Sequence, residues 1–293
     1  PKTLDIPRMV RQARQYLIDS GVSDAEVYRP VWVDYDWNAF RLFRNNYGLE
    51  EFYQELGGQN CEDLFFPGCL LANEGPALVK SVVDWLGLTG KTVGVSVECC
   101  GAPLEQIGLA QREEAYGREL WQSFTTTGAR RIVTACPSCQ MKLATLDPDS
   151  DIEVISLFQI MAESGLTAPV QGDGTVTVHD SCTDRAGEIG TYIRKLLSDY
   201  EIREMVHHGS NTICCGSGGI VSFVDPEVCD GRAEKRLEEM MDSGANLCVT
   251  YCMSCAHRLT GRPGREIRHI LELLFESPVD HEEFNEKRAA IWQ

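Results

Sequence analysis

No run of eighteen apolar residues occurs in the 293-residue chain, so no segment is expected to cross a membrane as a helix. The opening residues lack the basic and apolar regions of a secretion signal, and the expected address is the cytoplasm, with membrane association only through a partner subunit. Positive charge is scarce: 27 Lys and Arg stand against 44 Asp and Glu, a formal net charge of −17. No basic stripe reverses this locally, so a nucleic-acid partner is not expected. An initiator methionine is also missing. The chain opens on Pro1, and a processed, engineered or partial chain is expected.

Cysteine, by contrast, is abundant. Thirteen are too many for an ordinary cytosolic protein, and 293 residues at 43% hydrophobic content are too long and too apolar for a disulfide-stapled scaffold. Metal or redox chemistry is the expected use. The length suits one large α/β domain or two of ordinary size.

"LDIPRMVRQARQYLIDSG" reads as an amphipathic helix, with Asp5 as N-cap, Pro7 in the first turn and Gly21 closing it. The aromatic stretch that follows, with Tyr28, Trp32, Tyr35, Trp37, Phe40, Phe43 and Tyr47, is expected to cover a core. From Leu64 short β-type runs alternate with helices: "LFFPGC", "TVGVSVECC" and "RRIVTACPSC" as strands, "GPALVKSVVDWLGL" and "REEAYGRELWQSFTTTG" as helices. After a linker, Gly165–Gly174, the rhythm restarts with strands in "TVTVHDSC", "NTICCG" and a closing "NLCVTYCMSC". The expected fold is α/β: two pseudo-symmetric Rossmann-like repeats with short parallel sheets, preceded by a helical segment. The expected boundaries are 1–62, 63–166 and 167–293, the last repeat carrying a polar C-terminal helix or tail.

The cysteines repeat with the fold. Cys69, Cys99, Cys100, Cys136 and Cys139 of the first half match Cys182, Cys214, Cys215, Cys252 and Cys255 of the second at offsets of 113 to 116. Five such matches identify a duplication. Each group ends a strand, so on a parallel sheet all emerge along one edge, where ligands bind in open α/β sheets. The Cys-x-x-Cys pairs fall at helix starts, which favour thiolate. Five converging thiolates require cations.

A vicinal disulfide between adjacent cysteines explains neither the glycine that follows each pair nor the other three matched cysteines. Zinc takes four ligands in a tetrahedron, which neighbouring cysteines rarely supply together. A multi-iron cluster suits the pattern best, because adjacent thiolates can bind different irons. Gly101 and its counterpart Gly216 then let the backbone pass close to a cluster or adopt a positive φ. The further glycines of "CCGSGG", Gly218 and Gly219, read either as opening one face of the second site or as a tight turn and nothing more.

The motifs "FFPGC", "ECCG" and "CPSC", then "HDSC", "ICCG" and "CMSC", resemble the cysteine-rich CCG family over about Leu64–Ser277. Its best-known member is the B-type component of heterodisulfide reductase, with the related D-type fusion. The resemblance implies two noncubane [4Fe-4S] clusters, one on Cys69, Cys99, Cys100, Cys136 and Cys139, the other on Cys182, Cys214, Cys215, Cys252 and Cys255. Through them Cys99, Cys100, Cys214 and Cys215 would carry the catalysis. It implies anaerobic metabolism and reduction of a disulfide of the coenzyme M–coenzyme B type, one sulfur going to each cluster. The implied partners are a ferredoxin-like module or subunit and a flavin-containing or membrane cytochrome subunit. The alternative is a relay protein passing electrons to a quinone- or flavin-linked oxidoreductase. "PKTLDIPRMVRQARQYL" resembles the segment after the last cysteine of a two-cluster ferredoxin, so a preceding ferredoxin module is expected.

For an anionic disulfide, Arg185, Lys142, Arg258 and His257 are the cations nearest the motif cysteines, each with a surface or structural role as the alternative; His179 reads either as a donor to cluster sulfur or as a satisfied core histidine. Outside the repeat, Cys229 and Cys248 are expected to be buried and inert, while Cys61 lies close enough to Cys69 to watch.

Overall fold

The computed structural model describes residues 5–58, 60–262 and 266–291. Strands β1 (Asp63–Phe66), β2 (Val93–Val95), β3 (Arg131–Thr134) and β4 (Glu153–Ser156) pair in parallel in the order β2-β1-β3-β4. Strands β5 (Thr175–His179), β6 (Glu201–Ile202), β7 (Leu247–Thr250) and β8 (Glu266–His269) repeat that order as β6-β5-β7-β8. Phe65 lies opposite both Val95 and Val133, and Val178 opposite Val249. Every residue of β1, β5 and β7 is buried, as inner strands of a sheet covered on both faces are, and the polar Asp63, Thr175, Thr177, His179 and Thr250 are buried along with the apolar positions.

The helices follow from local signals. Pro76–Gly87 opens on proline, which has no N–H to leave unpaired, and buries Leu78, Val79, Val82 and Leu86 on one face. Ser156 caps Leu157–Glu163 by accepting from the Phe158 N–H. At the matching position His269 caps Ile270–Leu274, and Glu272 returns the bond to the His269 N–H at 2.7 Å. Residues of both repeats, among them Val133, Phe158, Ile193, Tyr251 and Leu273, share one core, so the two sheets form one body.

In the N-terminal segment, Asp5 Oδ1 accepts from the Arg8 N–H at 3.0 Å and starts Ile6–Asp19. The apolar side of this helix stays exposed at Ile6, Met9, Val10 and Leu17. Its backbone is pressed onto Gly108, where a Cβ would lie 2.7 Å from Gln15 N. Trp32 is buried in the first repeat's core and Phe43 is buried against Tyr47 and Phe284; Tyr35 is exposed, and the rest of the aromatic stretch is half-buried. The C-terminal helix, His281–Ile291, returns to this region: the Tyr47 hydroxyl donates to the Lys287 carbonyl, and Phe284 packs on Phe43.

Several elements differ from the sequence reading. "TVGVSVECC" is strand only at Val93–Val95, and Ser96–Cys100 is loop. "NTICCG" is not a strand; the edge partner of β5 is Glu201–Ile202, because a long loop separates that strand from Cys214. "NLCVTYCMSC" does not close the sheet. Strand β7 is central and β8 covers its far edge, as β4 covers β3.

Candidate iron–sulfur sites

All three cysteine groups of each repeat lie beyond the C-terminal ends of their strands. Cys69 opens the helix Cys69–Glu74 after β1, Cys136 is the N-cap of Pro137–Leu143 after β3, and Cys99 and Cys100 follow β2 through a loop. In the second repeat Cys182 follows β5 and Cys252 is the N-cap of Met253–Leu259 after β7.

The thiols meet in one contact order in both halves. Cys69 touches Cys99, Cys99 touches Cys100, Cys100 touches Cys139, and Cys139 touches Cys136. Cys182 touches Cys214 (3.8 Å), Cys214 touches Cys215, Cys215 touches Cys255 (3.2 Å), and Cys255 touches Cys252. All thirteen cysteines are free thiols, which removes the vicinal disulfide.

The electrostatics of the nests are uneven. The Cys214 thiol is held far down, at about 2, by hydrogen bonds from Cys182 and Cys215 and then by the Gly216 and Gly218 N–H groups. Cys252 is lowered to about 7 by Cys255, against its burial, with help from backbone N–H groups and the Ser181 hydroxyl. In the first repeat Cys100 is the lowered thiol, through Cys139 and Cys99. Cys182 and Cys214 are partly exposed in one nest, Cys69 and Cys136 in the other.

The glycines work differently from expectation. Gly101 and Gly216 do hold positive φ, +83° and +90°, but their close neighbours lie behind them on the long helices. A Cβ on Gly101 would meet the Tyr116 ring at 3.1 Å, and one on Gly216 the Cys229 carbonyl oxygen at 2.4 Å. It is Gly68 that faces sulfur: its Cβ would lie 2.9 Å from Cys136 Cβ and 3.5 Å from Cys139 Sγ. Gly218 has open space around it.

His179 is fully buried at the end of β5. Burial, then the nearby Arg236, push it down to about 3, so the ring is neutral. Arg236 Nε donates to His179 Nδ1 at 2.8 Å, which leaves the ring proton on Nε2. Nε2 has no protein partner, and a ring nitrogen of His179 lies within 4.8 Å of the Cys215 and Cys255 sulfurs. A buried donor left without an acceptor beside a nest of thiolates fits an anionic, sulfide-bearing cluster.

Neither Arg236 nor Ser181 was singled out from sequence. Arg236 stands on the apolar Ala233–Leu237–Met240 face of its helix, a signal that was there to find. Of the four expected cations, Lys142 is paired with Glu105 and Glu113, Arg258 with Asp230, and His257 lies beside Glu74, while the exposed Arg185 donates only to the neutral Ser210 carbonyl. Cys61 is buried at the opposite end of β1 from Cys69, its sulfur against Gly94, and so is removed from the nest. Cys229 and Cys248 are buried, with Cys229 Sγ donating to the Gly216 carbonyl.

The two nests adjoin. The Ser138 hydroxyl, within the first Cys-x-x-Cys, is 3.4 Å from that of Thr183, next to Cys182. The Cys182 loop is anchored through Asp180, which takes two bonds from Arg194 and one from the Gly209 N–H.

The model of the CCG cysteine-rich domain matches residues 64–144 and 176–260. Over 199 residues the chain is 26% identical to an iron–sulfur protein of Methanococcus maripaludis, covering 67% of this chain and 40% of that one. It is 24% identical over 241 residues to the D-type component of the dihydromethanophenazine:CoB–CoM heterodisulfide reductase of Methanosarcina barkeri, covering 73% and 58%. Lactate utilization protein A 1 of Bacillus mycoides is 25% identical over 227 residues, covering 69% and 91%.

Proposed function

The chain belongs to the cysteine-rich CCG domain family, and from that premise we propose that it is the iron–sulfur subunit of a heterodisulfide-reductase-like complex. Cys69, Cys99, Cys100, Cys136 and Cys139 would hold one noncubane [4Fe-4S] cluster, and Cys182, Cys214, Cys215, Cys252 and Cys255 the second. When bound, such clusters supply one-electron chemistry, and two of them side by side match the two electrons of disulfide reduction. The observation that carries this reading is the adjacency of two five-thiol nests at the Ser138–Thr183 contact.

The chain's own residues set the conditions. The Arg236–His179 pair holds an N–H toward the second nest without carrying the proton away, since the imidazole is neutral. Ser181 donates to Cys252, and Gly218 leaves space on the side of Cys214. The partners proposed are a ferredoxin-like module and a flavin or membrane cytochrome subunit. Among the described residues no helix is long and apolar enough to cross a membrane, so a cytoplasmic chain would reach one through such a partner.

The second reading, an electron relay without its own substrate, is favoured by one observation: two of the cations expected to receive an anionic disulfide, Lys142 and Arg258, are already paired with carboxylates. Anaerobically purified, iron-loaded complex assayed with reduced viologen and the coenzyme M–coenzyme B disulfide separates the two. Turnover supports the reductase; a loaded, intact complex without it supports the relay.

A further inference from the structure

Glu74 ends the short helix that Cys69 begins, and His257 lies on the helix that Cys252 caps. At about 100° per residue, Glu74 sits about 140° round its helix from Cys69, and His257 about 200° round from Cys255. Both therefore face away from the thiols. They meet each other and His281, the first residue of the C-terminal helix.

The Glu74 side chain has no solvent exposure. Its Oε2 lies 2.7 Å from His281 Nδ1 in a well-formed hydrogen bond, and its Oε1 lies 2.7 Å from His257 Nδ1. The second contact is not aligned as a hydrogen bond, and both of its atoms are left without a partner. The Phe284 ring is edge-on to His257 at 5.7 Å, and the two imidazoles meet at the same distance. A carboxylate buried among such groups needs a cation at hand.

We propose that Glu74, His257 and His281 bind one divalent metal ion of the zinc class, separate from the iron sites. Two imidazoles and a carboxylate are a common three-ligand set for zinc, whereas calcium and magnesium prefer oxygen throughout. The three donor atoms lie within 4.8 Å of one another. Ligand distances of about 2.0–2.2 Å are met by widening the 2.7 Å contacts by less than about 1 Å. The ion ties the cysteine-bearing helix of the first repeat to that of the second and fastens the C-terminal helix to both. The inference rests on these three side chains and stands whichever redox reading holds.

The test is zinc-edge X-ray absorption and metal analysis on anaerobically purified, iron-loaded protein incubated with one equivalent of zinc(II). The expected result is one zinc per chain with nitrogen and oxygen neighbours only. Glu74→Gln and His281→Ala should each lose that zinc while iron content stays unchanged. A sulfur shell at about 2.3 Å would place the zinc in a cysteine nest and overturn the proposal. Failure of the wild-type protein to retain zinc, or retention by both variants, would overturn it too. The wild-type spectrum decides even if a variant does not fold.

Discussion

Behind the cysteines of the first repeat stand Phe66 and Leu120; at the corresponding places in the second stand His179 and Arg236, and all four are fully buried. Phe66 and His179 end β1 and β5, three residues before Cys69 and Cys182. Leu120 and Arg236 occupy matching turns of the two long helices, at the offset of 116 shared by the Cys-x-x-Cys pairs. Next to the first cysteine the contrast continues, with Gly68 in one repeat and Ser181 in the other. The duplication has kept the sheet order and the sulfur contact order while changing the neighbours from apolar to hydrogen-bonding. Hydrogen-bond donors near a cluster favour its reduced form, so clusters bound as proposed would be expected to differ in potential between the two sites.

The largest break in this comparison comes from removing a thiol at the centre of one nest. Cys100→Ser should empty the first site and Cys215→Ser the second, each lowering iron to about half while the other cluster's EPR signal persists. Loss of all iron from either variant would mean that the repeats do not load independently.

Next in size is Gly68→Ala. Its positive φ of +88° and the 2.9 Å approach to Cys136 Cβ leave no room for a methyl group. A loss of about 1–3 kcal/mol in unfolding free energy is expected, together with iron loss confined to the first site. Ser181→Ala, at the second repeat's equivalent, should be tolerated structurally, and chemical denaturation of the pair measures the difference.

His179→Phe copies the first repeat into the second. Losing one hydrogen bond of about 1.4 kcal/mol toward the reduced cluster lowers a one-electron potential by about 60 mV. Redox titration followed by EPR should show the second cluster shifted and the first unmoved; equal shifts in both would remove His179 from the second site. Ser181→Ala should lower the same potential by less, because a neutral hydroxyl donor to sulfur is the weaker bond.

Much of this arrangement was legible in the residue order. Cysteine is rare enough that ten of them at matching offsets identify a repeat, and Pro76, Ser156 and the apolar periods mark helices by local sterics alone. Of the edge strands β2 was legible, within "TVGVSVECC", whereas β4, β6 and β8 were not. Glu153–Ser156 and Glu266–His269 are four residues each and carry polar side chains, so nothing local separates them from loop. The strand read into "NTICCG" failed for the opposite reason: its composition suits a strand, but no neighbour lies in position to pair with it. His179 stands out for its distance from Cys182, yet its tautomer depends on Arg236, fifty-seven residues away.

By itself the sequence determined two α/β repeats and the two sets of five thiols, because strand and helix periods and the spacing of a rare residue are properties of neighbours in the chain. The tertiary structure decided which site is apolar and which donates hydrogen bonds, that the nests touch at Ser138 and Thr183, and that Glu74 meets His257 and His281. Those contacts join residues far apart in the chain, and only the packing of both repeats around one shared core selects them.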